Sequence, residues 1–202
     1  MSTPSARPRF IALEGLDGSG GTTQLHRLQA ECITRGEPCI TTREPSDGPV
    51  GKLIRAQLAG TLGDAVLPYL FAADRRDHLD TVVIPALARG EHVLSDRCAL
   101  SSFAYQAEAL GLAQVMRLNE DFRTPDLTLL LELDPELCLD RILARGLPRD
   151  RFETVARLRT VQAAYDLAVR ALTDSTWNIV RIDASGSADT VAERIRRVVW
   201  PG

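Results

Sequence analysis

Two periods of apolar and polar positions run along the chain. Short apolar runs bounded by turn residues occupy residues 9–14 (RFIALE), 38–45 (PCITTREP), 91–96 (EHVLSD), 125–134 (PDLTLLLELD) and 177–185 (WNIVRIDAS). Such runs predict buried strands. Between them, apolar residues recur at helical spacing. Leu25, Leu28 and Cys32 follow Thr22 in this way until Arg35 and Gly36 stop the pattern, which predicts a helix. Residues 49–60 predict a second helix. Residues 64–89 predict a long helical stretch with a stripe through Leu67, Leu70, Phe71, His78, Val82 and Leu87, kinked or divided by Pro85. Further helices are predicted over 99–118 with an interruption near Gly111, over 135–146 with Pro135 in the first turn, over 154–173, and from the last strand to Val199. Strands and helices that alternate in this way imply a parallel sheet with helices on both faces. Ligands of such sheets bind at the carboxyl ends of the strands.

Composition narrows the function classes. The chain has 202 residues, 45% hydrophobic and 25% charged, which suits a single soluble domain over residues 1–202. A net charge of −3 gives no long-range attraction to nucleic acid or to an acidic membrane. No run approaches the ~20 apolar residues of a membrane span, and residues 1–9 lack an apolar leader, so a cytoplasmic location is expected. Cys32, Cys39, Cys98 and Cys138 form no C-x-x-C pair and no cluster with histidine, and are read as free thiols. Lys52 is the only lysine; every other strong cation is an arginine.

The candidates for chemistry each lie just past a strand. Residues 15–22 (GLDGSGGT) follow the phosphate-loop pattern G-x-x-x-x-G-K-[ST], with Gly21 at the lysine position. Glycines let backbone amides converge on a phosphate, the following helix points its positive end at it, and Thr22 offers a hydroxyl to Mg²⁺. In TREP, Arg43 is placed to clamp a phosphate, and Glu44 to hold Arg43. Phe71 and Arg75 lie one helical turn apart, a ring and a guanidinium suited to a planar base; a core phenylalanine beside a solvated arginine is the plainer alternative. Asp96 and Arg97 end a strand, where an acid would sit near a metal. Ser101, Ser102, Tyr105 and Gln106 then present hydroxyls, a phenol and an amide suited to a base edge and a sugar. Arg145, Arg149 and Arg151 fall in a loop with glycine and proline, and arginine forks fit phosphate oxygens.

In this order, the pieces resemble the thymidylate kinases, a family of P-loop nucleoside monophosphate kinases. The likeness runs from FIALEGLDGSG through TTREP, LFAADRRDH, SDRCALSSFAYQ and PDLTLLLELD to DRFE and RIDAS, nearly the whole chain. It implies the P-loop NTPase fold, α/β with a five-stranded parallel sheet, helices on both faces and an arginine-bearing lid at about 145–153. It also implies transfer of the γ-phosphoryl of ATP to dTMP, giving dTDP and ADP for dTTP synthesis, with Mg²⁺ and in a homodimer. Residue by residue, it implies that Gly15, Leu16, Asp17, Gly18, Ser19, Gly20, Gly21, Thr22 and Thr23 hold ATP, with Thr22 and Asp96 at the metal. Asp17 would help to place the dTMP sugar and a metal-bound water. Arg43 and Arg97 would grip the acceptor phosphate, Phe71 would stack on thymine, and Arg75 would bond its carbonyl edge. Ser101, Ser102 and Gln106 would line the base site, with Tyr105 beneath the deoxyribose where a 2′-hydroxyl would clash. Arg149 or Arg151 would act with Asp17 and Arg97 in catalysis; Gly18 together with Arg149 matches the family pattern that carries its arginines in the lid.

Two positions depart from the family pattern. Cys98 stands where an aromatic residue or histidine often follows the Asp-Arg pair, a packing change. Gly21 removes the lysine that contacts the β- and γ-phosphates. Loss of one such preorganised group typically costs roughly 3 kcal/mol, a rate loss on the order of 10²–10³. Lys52 lies past TREP on the acceptor side, so lid arginines are the better substitutes. Three readings are open: a working or slowed dTMP kinase, a non-catalytic nucleotide-binding relative acting as sensor or partner subunit, and a kinase for another (deoxy)nucleoside or nucleotide acceptor.

Overall fold

A computed structural model describes residues 7–58, 63–144 and 154–201. Five strands form one sheet: β1 (Phe10–Gly15), β2 (Cys39–Arg43), β3 (His92–Asp96), β4 (Leu127–Glu132) and β5 (Ile179–Asp183). Their order is β2-β3-β1-β4-β5, and every pairing is parallel. β1 is buried at all of its positions, so both sheet faces are covered, as its near-continuous apolar run requires. The chain leaves β1 first toward β2 and β3, then returns to build β4 and β5 on the other side. A crevice therefore opens at the carboxyl end of β1. The register sets Leu13 beside Asp96 and Arg43 beside Asp96, so the ends of β1, β2 and β3 come level there.

The helices are α1 (Gly21–Thr34), α2 (Pro49–Leu58), α3 (Leu67–His78), α4 (Ile84–Ala88), α5 (Ala99–Tyr105), α6 (Ala107–Leu110), α7 (Leu112–Arg117), α8 (Pro135–Ala144), α9 (Val155–Ala171) and α10 (Ala188–Val199). α1 packs on β1, β2 and β3 and beside α10, where Gln24 Nε2 donates to the Ala188 carbonyl at 3.0 Å. α5 rests on β1 and packs against α9, which also holds α8. Ser187 caps α10 by accepting from the Thr190 amide, and Thr154 caps α9 by accepting from that of Arg157.

The strands and most helices lie where the sequence predicts them, with two refinements. Pro85 divides the long helix through a π-helical turn, Leu79–Val83, between α3 and α4. Proline has no amide hydrogen, and its ring crowds the carbonyl four residues earlier, so the hydrogen-bond ladder widens ahead of it. The stretch 99–118 breaks twice, at Gly111 (φ 83°) as expected and also at Gln106 (φ −107°), whose side chain is buried. The lid expected at about 145–153, with Arg145, Arg149 and Arg151, lies outside the described residues. Among the described residues, no helix is long and apolar enough to cross a membrane.

Leu129 sits in the middle of the core, fully buried and in register with Leu13 and Val180. Leu129→Ala is expected to lower the unfolding free energy by about 2–5 kcal/mol, the cost of lost apolar contact plus an incompletely collapsed cavity. Urea denaturation measures this as a lower midpoint at an unchanged slope.

Candidate active site

At the end of β1 the chain turns through a run of glycines, and at Gly18 no other residue fits. Gly18 has φ 86°, and a Cβ there would lie 2.3 Å from the carbonyl oxygen of Cys138. The loop backbone therefore lies against α8, closer than any side chain would allow. The Ser19 amide donates to Leu16 O at 3.0 Å, closing the turn. α1 begins at Gly21 with no side-chain cap on its first turn, so unpaired amides and the positive helix end face the crevice. The crevice is lined by residues 13–22 together with Arg43, Glu44, Asp96 and Arg97.

Gly21 differs from Gly18. Its φ is not in the left-handed region, and a Cβ there would meet only Asp96 Oδ1, at an ordinary 3.4 Å. The backbone thus accepts a side chain at this position. Beside it, Thr22 Oγ1 donates to Asp96 Oδ2 at 2.6 Å, which joins the two expected metal ligands. A hydroxyl and a carboxylate at a phosphate loop are hard oxygen donors of the type Mg²⁺ takes alongside phosphate and water. No group of three or more His, Cys, Asp or Glu able to hold a metal occurs among the described residues, so the protein supplies only part of such a shell.

Arg97 is the hub of the other side of the crevice. It has a left-handed backbone, φ 71°, although it is not glycine. Such strain persists where surrounding contacts over-determine it. Its amide donates to Leu13 O at 2.8 Å. Its Nη2 donates to Asp17 Oδ1 at 2.6 Å, and its Nη1 to Ser101 Oγ at 2.9 Å, to Gly15 O at 3.1 Å and to Tyr165 Oη at 3.3 Å. The guanidinium also lies 5.1 Å from the Tyr105 ring centre, and Tyr105 donates its phenol hydrogen to Asp17 Oδ2 at 3.1 Å. The structure thus brings Asp17, Arg97, Ser101 and Tyr105 together.

Beneath them lies Glu14, a buried carboxyl that receives the Cys98 amide at 2.8 Å, the Ser101 hydroxyl and the Tyr165 phenol at 3.2 Å. Burial pushes it up to about 7, against the lowering effect of the Ser101 hydrogen bond and the Arg97 charge. Neither Glu14 nor Tyr165 stands out as a site residue in the sequence. An acid inside the apolar run RFIALE is a usable signal, because a buried acid needs partners; Tyr165 carries no comparable mark.

Two expectations are corrected here. Glu44 does not hold Arg43. Glu44 is buried and accepts from Arg75 Nη2 at 2.6 Å and Nε at 2.9 Å, with His78 Nδ1 at 3.2 Å. Arg43 is exposed at the rim and pairs with Asp47 at 2.6 Å. Successive residues of an extended chain face opposite sides, which separates the two. Nor is Arg75 a solvated neighbour of a core phenylalanine: it is 1% exposed, and Phe71 is only half-buried. Its other partners are Ser102 Oγ at 3.0 Å and Asn119 Oδ1. Burial raises the Glu44 pKa, but the Arg75 guanidinium and His78 hold the carboxyl below its ordinary value. Among the described residues, no other ring stacks on Phe71. The Gln106 amide is buried with its oxygen unpaired by the protein. Behind the loop, Arg141 leans from α8 toward Ser19 O at 3.4 Å. The cysteines are free: Cys32, Cys98 and Cys138 are buried and Cys39 half-buried.

Comparison with known proteins agrees with this arrangement. The family model described as Thymidylate kinase matches residues 13–195. A thymidylate kinase of Jannaschia sp. (strain CCS1) is 39% identical over 202 residues, covering 95% of this chain and 96% of the relative. One from Xanthomonas euvesicatoria pv. vesicatoria (strain 85-10) is 38% identical over 195 residues, covering 94% of this chain and 82% of the relative. With its phosphate loop, its Asp96–Arg97 strand end and a family match over nearly its whole length, this chain belongs to the thymidylate kinase family.

Proposed function

We propose that this chain transfers the γ-phosphoryl group of ATP to dTMP, giving dTDP and ADP. The observation that carries this reading is the convergence of two sites on the end of β1. A phosphate loop and the Thr22–Asp96 pair lie on one side, and Arg97, held by Asp17 and stacked on Tyr105, lies on the other. ATP phosphates bind the amides of residues 15–23. The acceptor phosphate binds the Arg97 fork and Arg43 at the rim, both drawn from level strand ends. Thymine enters between Phe71 and the buried pair Arg75–Ser102, with Gln106 nearby in sequence, and Tyr105 lies under the sugar. Thr22 and Asp96 would hold Mg²⁺, which would supply charge neutralisation on the nucleotide phosphates. The arrangement acts through position and fixed charge: an acceptor oxygen is held in line with the γ-phosphorus while cations wait for the charge that develops. The protein works in the cytoplasm as a homodimer.

Gly21 favours a second reading, a relative that binds nucleotide without transferring phosphate. The two are separated by single-turnover dTDP formation from dTMP and Mg·ATP, with the Gly21→Lys variant run alongside. The natural chain is expected to turn over slowly. The space at Gly21 admits lysine, so the variant is expected to fold and to be faster by about 10²–10³, the worth of one preorganised charge. If both proteins bind dTMP and ATP in calorimetry and neither forms dTDP, the kinase reading is wrong. Equal, fast rates would place the missing charge on lid arginines, and Arg149→Ala with Arg151→Ala would then abolish it.

Arg97→Met is expected to lower kcat/KM for dTMP on the order of 10²-fold or more, mainly through KM, while leaving ATP affinity unchanged. A panel of nucleoside monophosphates in the same assay is expected to favour dTMP. Preference for a ribonucleotide would overturn the role given to Tyr105.

A further inference from the structure

Every partner of the buried Glu14 carboxyl belongs to the surroundings of Arg97. The Cys98 amide is the peptide that comes after Arg97, and it donates to Glu14 Oε1 at 2.8 Å. The Ser101 hydroxyl donates to Glu14 Oε2 and accepts from Arg97 Nη1 at 2.9 Å. The Tyr165 phenol donates to the same oxygen at 3.2 Å and accepts from Arg97 Nη1 at 3.3 Å. We propose that Glu14 is a positioning residue for Arg97, fixing its backbone through Cys98 and its guanidinium through Ser101 and Tyr165 before the acceptor arrives. The proposal rests on the reading that Arg97 grips the acceptor phosphate.

The chemistry of the two hydroxyls explains why an acceptor is needed beneath them. A guanidinium only donates, so Ser101 and Tyr165 must turn lone pairs toward it and send their hydrogens elsewhere. The Glu14 carboxylate is placed to take both hydrogens, with Gly15 O at 3.2 Å and Ser101 Oγ at 2.9 Å as alternative acceptors for the Tyr165 phenol. Without that acceptor, the hydroxyl rotors are free to turn a hydrogen toward Arg97 and loosen the fork. The same carboxylate also holds the peptide next to the left-handed Arg97, together with the Leu13 carbonyl on its other side.

Ionisation supplies a second readout. The groups around Glu14 are Arg97 and Cys98 before α5, Ser101 and Tyr105 on it, Tyr165 on α9, Asp17 in the loop, and Glu44 and Arg75 beyond Cys98. Burial of Glu14 outweighs the lowering effect of the Ser101 hydrogen bond and the Arg97 charge, which leaves the carboxyl at about 7 rather than its ordinary 4.5. A raised acid binds its proton more tightly in the folded state than in the unfolded one. Stability from this group is therefore present at low pH and lost as the pH rises through that window. The charged form costs stability while it holds Arg97, so the two effects of removing the charge have opposite signs.

The test is steady-state kinetics with dTMP and Mg·ATP across neutral pH, with thermal melts, on the wild type, Glu14→Gln and Tyr165→Phe. At about pH 8, Glu14→Gln is expected to melt at the same or a higher temperature than the wild type. It should nevertheless lose on the order of ten-fold in kcat/KM for dTMP, with KM for ATP unchanged. The deficit should narrow below about pH 6, where the wild-type carboxyl is itself protonated. Tyr165→Phe should show a smaller loss of the same kind. The proposal is overturned if Glu14→Gln keeps wild-type kcat/KM for dTMP. It is equally overturned if dTMP and ATP parameters fall together with the melting temperature, the signature of general disruption. Arg97→Met separates the two levels. If Arg97→Met costs dTMP binding while Glu14→Gln does not, only the positioning role fails. If Arg97→Met costs nothing, the reading of Arg97 fails and takes the positioning role with it.

Discussion

The crevice depends on carboxylates that hold its cations in place. An arginine taken out of water loses hydration that a partner must replace, and each deeply placed arginine here has a carboxylate against it. Arg75 is enclosed and forked onto Glu44. Arg97 is bound to Asp17 at its tip and backed by Glu14 through two hydroxyls. The parallel sheet makes this possible. β1 is flanked on both sides, and the crevice at its carboxyl end is lined by the loop that follows it together with the ends of β2 and β3. The carboxylates fix where the cations point, while the exposed Arg43–Asp47 pair at the rim contributes little to stability and leaves Arg43 free to exchange its partner.

Much of this was legible in the chain. The five apolar runs are the five strands, and the glycine pattern after the first of them is the phosphate loop. Asp96 and Arg97 could be placed because residues that close a buried strand must emerge at its carboxyl end. The partnerships were not legible. Arg75 finds Glu44 and Asn119, distant in sequence, and no local pattern brings those three together. Amphipathic spacing gives Arg75 a helix face but cannot say that the face is closed over by α5 and the turn after α7. Adjacency in sequence suggests that Glu44 pairs with Arg43, whereas the alternation of an extended chain turns the two to opposite sides. The second break, at Gln106, depends on an amide that turns inward, and propensity does not register such a choice.

Gly21 shows how separable the parts of the site are. The loop needs glycine at Gly18 because the Cys138 carbonyl leaves no room, so the sequence there is fixed by contact. At Gly21 there is room, so the residue is fixed by nothing in the fold. Glycine at this position is compatible with the turn, the start of α1 and the Thr22–Asp96 pair. The shape of the loop and the side chain carried at Gly21 therefore belong to different layers of the sequence.

The π-helical turn at Leu79–Val83 has a consequence for how the chain tolerates insertion and deletion. One residue advances an α-helix by about 100°, so a turn carrying an extra residue offsets the helical phase of α3 from that of α4. Here α3, before the turn, aims Arg75 and His78 at Glu44, while α4, after it, seats Ala86 against the sheet beside β3. Both faces are served because the offset lies between them. Deleting one residue from this turn would restore a regular ladder and swing Arg75 out of phase with Glu44 by that angle. Length within this segment is therefore constrained more tightly than residue identity.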